Sequence, residues 1–380
     1  MHERRARSGA CLALALAVIG CRRETLAEQP FSREEAVSAS AARTPARSRE
    51  RMVVLVTIDG VRVRDVRDGS SLMPWGAPAS LMPETEKLVR RDGTALGLGG
   101  DACGAVRPLG EANLSLPGYS EILGGRPTEC IDNECSRARQ LTVLDAAALD
   151  SSARGLGPVA SIASWPRIAR AASSGRAPVL VSAGRGSWPD RGARGGLLDA
   201  MIAAGDRAGP WPGQGRYRPD DRTAPIALEY LRTARPRFLH VGLGDTDEHA
   251  PSNARASYAI ALRLADVFVR DVATVIDEIG GAASVVVTTD HGRGPSFRNH
   301  GPDIPSSHRS FVLAFGEGIA HRGDLCEHGD ATLPQVGATL RTLLSLPPDE
   351  ASDAAQPIQE LLAEPVSNEQ ASGASKEQGT

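Results

Sequence analysis

Lysine is almost missing from this chain: Lys87 and Lys376 are the only two among 43 basic residues, so nearly all the positive charge is arginine, a sign of base composition before it is one of function. Aromatic side chains make up only 4% of the 380 residues, which leaves a core to be built from aliphatic ones. The net charge of −3 provides no basic field of the kind that binds duplex nucleic acid. A bilayer-spanning apolar run is lacking as well, since Cys11–Gly20 (CLALALAVIG) is too short to cross a membrane. No cysteine spacing has the form of a zinc–thiolate site, and no internal repeat is visible. What remains, 41% hydrophobic and 23% charged, is the composition of a globular protein with one large core or two modest domains.

The short apolar run has a context. Arg4, Arg5 and Arg7 precede it as a basic segment, and it ends in Val18-Ile19-Gly20-Cys21, which resembles a bacterial lipoprotein lipobox. That resemblance implies a signal peptide over 1–20, a lipid on Cys21 and a polar tether over 21–51. Arg22 after the cysteine favours the outer membrane, so a lipid-anchored place in the cell envelope is expected, with simple secretion as the alternative. Loss of 1–20 removes a net charge of +2, taking the chain from −3 to −5. Cys103, Cys130, Cys135 and Cys326 would then sit in an oxidising compartment. Cys130 with Cys135 is the local pairing candidate, leaving Cys103 with Cys326; free buried thiols are the other reading. Residues 365–380 read as a disordered tail.

Between them, a domain over 52–364 alternates strand and helix patterns. The runs Met52–Ile58, Phe238–Gly244 and Ser284–Thr289 are apolar and β-branched enough to be buried on both faces, as in a parallel sheet. Further strands are expected at 159–164, 178–182 and 310–315. Helices are expected at 83–91, 116–123, 142–149, 224–234, 254–279 and 333–344, the fifth with an apolar stripe of Ala259, Leu262, Leu264, Val267, Val269 and Val272. The alternation predicts an α/β fold, a doubly wound, mostly parallel sheet with helices on both faces. Residues 183–222, rich in Gly, Arg, Pro and Trp, read as a stretch that builds no core. They form either a plain surface insert or a lid offering Trp188, Trp211 and Tyr217 as stacking faces.

Each of the three opening runs ends in an acid: Asp59, Asp245 and Asp290. Ligands of open α/β sheets bind beyond the carboxyl ends of the strands, so three carboxylates converge there. His249 stands four residues after Asp245, His291 directly follows Asp290, and His300 comes nine residues later in Asn-His-Gly. Ser115, just ahead of Pro117, is placed at a helix start, where free N–H groups favour an anion; capping that helix is its bland alternative.

In order and spacing these residues resemble the alkaline phosphatase superfamily, and the resemblance covers nearly the whole domain from Asp59 past Asp330. It implies an alkaline-phosphatase-like fold with two divalent metal ions, zinc being the expected ion and manganese or iron the alternatives. One ion would be held by Asp59, Asp290 and His291 with Ser115 beside it as nucleophile, the other by Asp245, His249 and His300. Asp247 competes with Asp245, and His308 with His300; the four-residue step to His249 and the following glycine favour Asp245 and His300. The implied reaction is hydrolysis of a phosphoric mono- or diester through a phosphoserine. Asn133 lies where nucleotide pyrophosphatase/phosphodiesterases place a phosphate-contacting Asn, although those enzymes have Thr for Ser115 and Glu-Pro for Leu243-Gly244. The sulfatase modification motif is missing, Tyr119 standing where its Arg would be. The domain is short for a phosphoglycerate mutase, and a non-catalytic metal-binding lipoprotein is the reading from another class.

Overall fold

The computed structural model describes residues 51–68, 80–100, 103–189 and 196–364. The expected signal segment, Cys21 with its anchor, nearly all of the tether, the tail and positions 190–195 of the expected insert lie outside the described residues.

The strands are β1 (Met52–Ile58), β2 (Gly93–Leu96), β3 (Val106–Arg107), β4 (Val159–Ala163), β5 (Leu180–Ala183), β6 (Phe238–Leu243), β7 (Ala283–Thr288), β8 (Val312–Gly316), β9 (Gly323–Leu325) and β10 (Ala331–Thr332). The helices are α1 (Val63–Arg67), α2 (Pro83–Asp92), α3 (Ser115–Gly124), α4 (Val143–Arg154), α5 (Ile168–Ala172), α6 (Leu197–Arg207), α7 (Asp220–Ala234), α8 (Asp245–His249), α9 (Arg255–Glu278) and α10 (Leu333–Leu343). Eight strands form one sheet in the order β5-β4-β6-β1-β7-β8-β2-β9. Its ladders are parallel except where β8 meets β7 and β2, so a single strand runs against the rest.

Every residue of β1 is buried, as its mostly apolar sequence requires. Its alternate side chains enter two separate cores. Val54, Val56 and Ile58 pack with Leu262, Val269 and Val272 of α9, while Val53 and Leu55 pack with Leu116 and Ile122 of α3 and Val336 and Leu340 of α10. Each such side chain stabilises the fold by roughly 1.5–3 kcal/mol. The sheet is therefore covered on both faces, the doubly wound arrangement. On α9 the stripe facing the sheet runs through Tyr258, Leu262, Phe268, Val269, Val272 and Ile276, and Leu264 faces solvent at 54% exposure instead. Among the described residues no helix is long and apolar enough to cross a membrane.

Register fixes what leaves the sheet together. Ile58 pairs with Leu243 of β6 and Thr57 with Thr288 of β7, so Asp59, Asp245 and Asp290 emerge on one edge within a residue or two of alignment. The cysteines pair as Cys103–Cys326 and Cys130–Cys135.

The expectation that 183–222 builds no core is overturned. Positions 197–207 form α6, whose Leu198 and Ile202 are buried, and Tyr217 and Arg218 are fully enclosed. Trp188 packs its ring against Tyr230 at 5.9 Å, so of the three aromatics expected over the site only Trp211 is exposed, at 72%. Glycine and proline content had hidden a working element here. Arg218 donates to the carbonyls of Ala163, Ser182 and Gly184 and to the hydroxyls of Ser182 and Thr223, at 3.0–3.2 Å. One guanidinium thus satisfies the carboxyl ends of β4 and β5, although burial pulls its pKa down to about 10. Arg218→Met should strand those carbonyls and lower stability by about 3 kcal/mol. Urea unfolding at unchanged slope measures this. A shift under about 0.5 kcal/mol, the size of an ordinary surface change, would show that the segment is not part of the core.

Candidate metal centre

Asp59, the first residue beyond β1, is 4% exposed. Its Oδ1 accepts from the Ser115 hydroxyl at 3.2 Å and its Oδ2 from the Tyr119 hydroxyl at 3.3 Å. Asp290 follows β7; its Oδ1 accepts the Gly60 N–H at 3.0 Å, while its Oδ2 is buried without a hydrogen-bond partner. His291 Nδ1 lies 2.9 Å from the Gly292 carbonyl, which can only accept, so Nδ1 carries the proton and the Nε2 lone pair points away. That Nε2 is 3.3 Å from Ser115 Oγ and 3.5 Å from both Asp59 Oδ1 and Asp290 Oδ2.

Ser115 reaches this point because α3 packs closely. It is the first helical residue, and Gly118 one turn on lies so near β7's exit that a Cβ there would stand 2.5 Å from the Asp290 carbonyl oxygen. Asn133 joins from a distant loop: its Oδ1 accepts the Leu116 N–H at 2.9 Å, beside Ser115 at the start of α3.

The charge state of these groups tests whether a cation fits. Burial pushes the Asp59 carboxyl above its usual range, and burial together with the Asp59 charge pushes Asp290 well above it. Burial holds His291 below its usual value. Two enclosed carboxylates, an imidazole with its lone pair inward and an unpartnered Oδ2 make a set that a divalent cation would satisfy. Ligand atoms of Asp59, Asp290 and His291 lie within 4.8 Å of one another. Two oxygens and a nitrogen, with the Ser115 hydroxyl adjacent, suit zinc and are open to manganese.

The second ligand set is not assembled as the sequence spacing implies. His300 Nδ1 donates to the Asn113 carbonyl at 2.9 Å, its ring stacks on that of His291 at 4.0 Å, and its Nε2 faces Asp247 Oδ1 at 3.7 Å. Asp247, His291 and His300 form the second group of converging ligand atoms; neither Asp245 nor His249 enters a group of three among the described residues. Thus the structure brings to His300 the aspartate that the four-residue spacing had set aside. Asp247 is also held by the buried guanidinium of Arg293, which neutralises it. Asp245 Oδ1 instead accepts from the Tyr217 hydroxyl at 2.8 Å and from the Asp220 N–H at 3.2 Å. The Asp220 carboxylate returns the contact, accepting the Gly244 and Asp245 N–H groups at 2.9 Å each. Burial raises Asp220 to about 6, and burial with the Asp220 charge raises Asp245 to about 8. His249 keeps a buried Nδ1 without a partner and lies edge-on to the exposed Trp211 ring at 6.0 Å. His308 bonds the Asn113 side-chain amide at 2.7 Å, one layer behind His300, and belongs to neither group.

Arg293, Asp220 and Tyr217 were not singled out from sequence for these roles. Arg293 stands two residues after His291 and could have been noticed. Asp220 carries no local signal, since its part depends on α7 starting against the end of β6.

No family model matches this sequence, and no curated protein does. Solved structures do. The alkaline phosphatase PafA superposes with a TM-score of 0.57 at 12% identity, covering 83% of this chain and 99% of that one. The fold is that of the alkaline phosphatase superfamily. A superfamily protein from Vibrio parahaemolyticus gives 0.54 at 13% identity over 83% and 71% of the two chains, and a 2-O GAG sulfatase 0.50 at 12% over 82% and 73%. On this superfamily fold the candidate centre lies at the carboxyl edge, beyond β1, β6 and β7.

The raised carboxyl groups fix a sign for pH. Asp59, Asp220, Asp245 and Asp290 all hold protons more tightly folded than unfolded. The part carried by Asp220 and Asp245 is therefore complete below about pH 4 and is lost as pH rises through about 6 to 8, and that of Asp59 and Asp290 is lost in the same direction. Chelator-treated protein should lose stability across that window, which Asp220 and Asp245 set, while added Zn²⁺ should stabilise it through Asp59 and Asp290 instead. Thermal melts at several pH values read it; a metal-free protein that gains stability from pH 4 to 8 would contradict the burial of these carboxyl groups in their protonated form.

Proposed function

We propose that this protein is a metal-dependent phosphoric ester hydrolase that works through a phosphoserine on Ser115. The observation that carries the reading is the Ser115 hydroxyl, held 3.2 Å from Asp59 and 3.3 Å from His291 Nε2 at the first residue of α3. Its Oγ gives up its proton to solvent and attacks phosphorus, the bond to the leaving-group oxygen breaks and that oxygen is protonated by water, and a second water later releases phosphate or a phosphomonoester and restores the hydroxyl. Divalent ions bound at the carboxylates and histidines would lower the Ser115 pKa and offset charge on the nonbridging oxygens. Among the first residues of α3, Pro117 has no N–H, and the Leu116 and Gly118 N–H groups are already taken by Asn133 Oδ1 and the Leu114 carbonyl. Asn133, beside them, is assigned to a phosphate oxygen. His291 and His300 each commit Nδ1 to a carbonyl, which suits them to ligation through Nε2 rather than to proton transfer.

A sulfatase also shares the fold, at a lower TM-score of 0.50, but Tyr119 occupies the position where the sulfatase modification motif needs Arg, so phosphoryl transfer is favoured. A panel of p-nitrophenyl phosphate, bis-p-nitrophenyl phosphate and a sulfate ester, with Zn²⁺ or Mn²⁺, separates the ester classes. Ser115→Ala should lower turnover at least ~10³-fold with metal content intact, and Ser115→Thr should keep part of the activity. A fully active Ser115→Ala would return Ser115 to the role of a helix-start residue.

A further inference from the structure

We propose that the Cys130–Cys135 disulfide is a positioning device for Asn133, holding its amide against the first turn of α3. The proposal rests on the phosphate role given to Asn133 above.

The loop between the two cysteines has little packing of its own. Ile131 is 75% exposed, and Asp132 and Glu134 are exposed too. An ordered Asn133 in such a loop needs fixing from elsewhere, and two kinds of tie provide it. The disulfide closes the loop across a sequence separation of five. From the opposite side, Arg167 and Arg170 grip the main chain: Arg167 Nη1 donates to the Asn133 carbonyl, and Arg170 Nη1 to the Cys135 carbonyl at 3.0 Å. Arg167 also pairs with Glu134, and the Asp132 carboxylate accepts the Glu134 N–H at 2.8 Å, tightening the turn around Asn133.

These ties set the direction of one side chain. Asn133 Oδ1 is committed to the Leu116 N–H, so the NH₂ end is the one left for an anion beside Ser115. Opening the disulfide leaves the loop on its arginine contacts and the local turn bonds of Asp132 and Thr128. The Leu116 N–H then loses a fixed acceptor, and the anion site loses an oriented donor.

The test uses the full chain and a Cys130→Ser/Cys135→Ser variant, with amide exchange at Leu116 and binding of inorganic phosphate as readouts. In the variant, exchange at Leu116 should quicken about tenfold or more, the size of one hydrogen bond, while amides of β1 keep their protection. Phosphate should bind about three- to tenfold more weakly; Asn133→Ala should do the same, and adding it to the cysteine changes should cost little more. A dithiol, giving two electrons and two protons to the bond and ending as its own cyclic disulfide, should reproduce the effect in the wild type and do nothing further to the cysteine variant. Unchanged protection at Leu116 would overturn the proposal. Faster exchange there without any phosphate binding to the wild type would uphold the positioning and sink the hydrolase reading instead.

Discussion

Two carboxylates that cannot be comfortably charged without a cation set the terms for this site. Asp59 and Asp290 leave neighbouring central strands that are buried along their whole length, so neither can turn to water. Hydrogen bonds take up three of their four oxygens, and the fourth, Asp290 Oδ2, has no partner. Burying charge in this way is costly unless it is compensated. The sheet supplies the geometry, α3 supplies a hydroxyl, and the loop after β7 supplies an imidazole whose proton is turned outward. In the proposed function, compensation by a cation is what would activate the Ser115 hydroxyl.

Much of this was legible in the sequence because the relevant signals are local. Apolar β-branched runs ending in aspartate mark the central strands and the functional edge together, and Ser-Leu-Pro-Gly-Tyr marks a helix start with a small residue one turn in. The doubly wound sheet follows from alternation alone. Spacing was less informative around α8. Asp245 and His249 are four residues apart on a five-residue helix, yet the Asp245 side chain is drawn toward Tyr217 and Asp220, while Asp247 turns toward His300 and Arg293. Those competitors come from the 217–220 stretch and from beyond β7, and no local pattern reports them. The same blindness hid α6 and Arg218, whose importance lies in carbonyls contributed by other strands.

The two halves of the centre therefore differ in character. The Asp59–Asp290–His291 half is enclosed and short of positive charge at its middle. The α8 half is less buried, and its acids already have partners: Arg293 for Asp247, Tyr217 and a backbone amide for Asp245. An ion entering there must exchange those contacts for its own, whereas the first half has an oxygen waiting. Metal affinity should accordingly be stronger at the half that holds Ser115, the residue proposed above as nucleophile.

The most direct measurement is anomalous diffraction at the zinc edge from crystals grown with Zn²⁺. The account requires a peak between Asp59, Asp290 and His291, at about 2.0–2.2 Å from each ligand atom and next to Ser115 Oγ. A zinc-saturated crystal with no peak at that position, or with zinc bound only elsewhere, would contradict it.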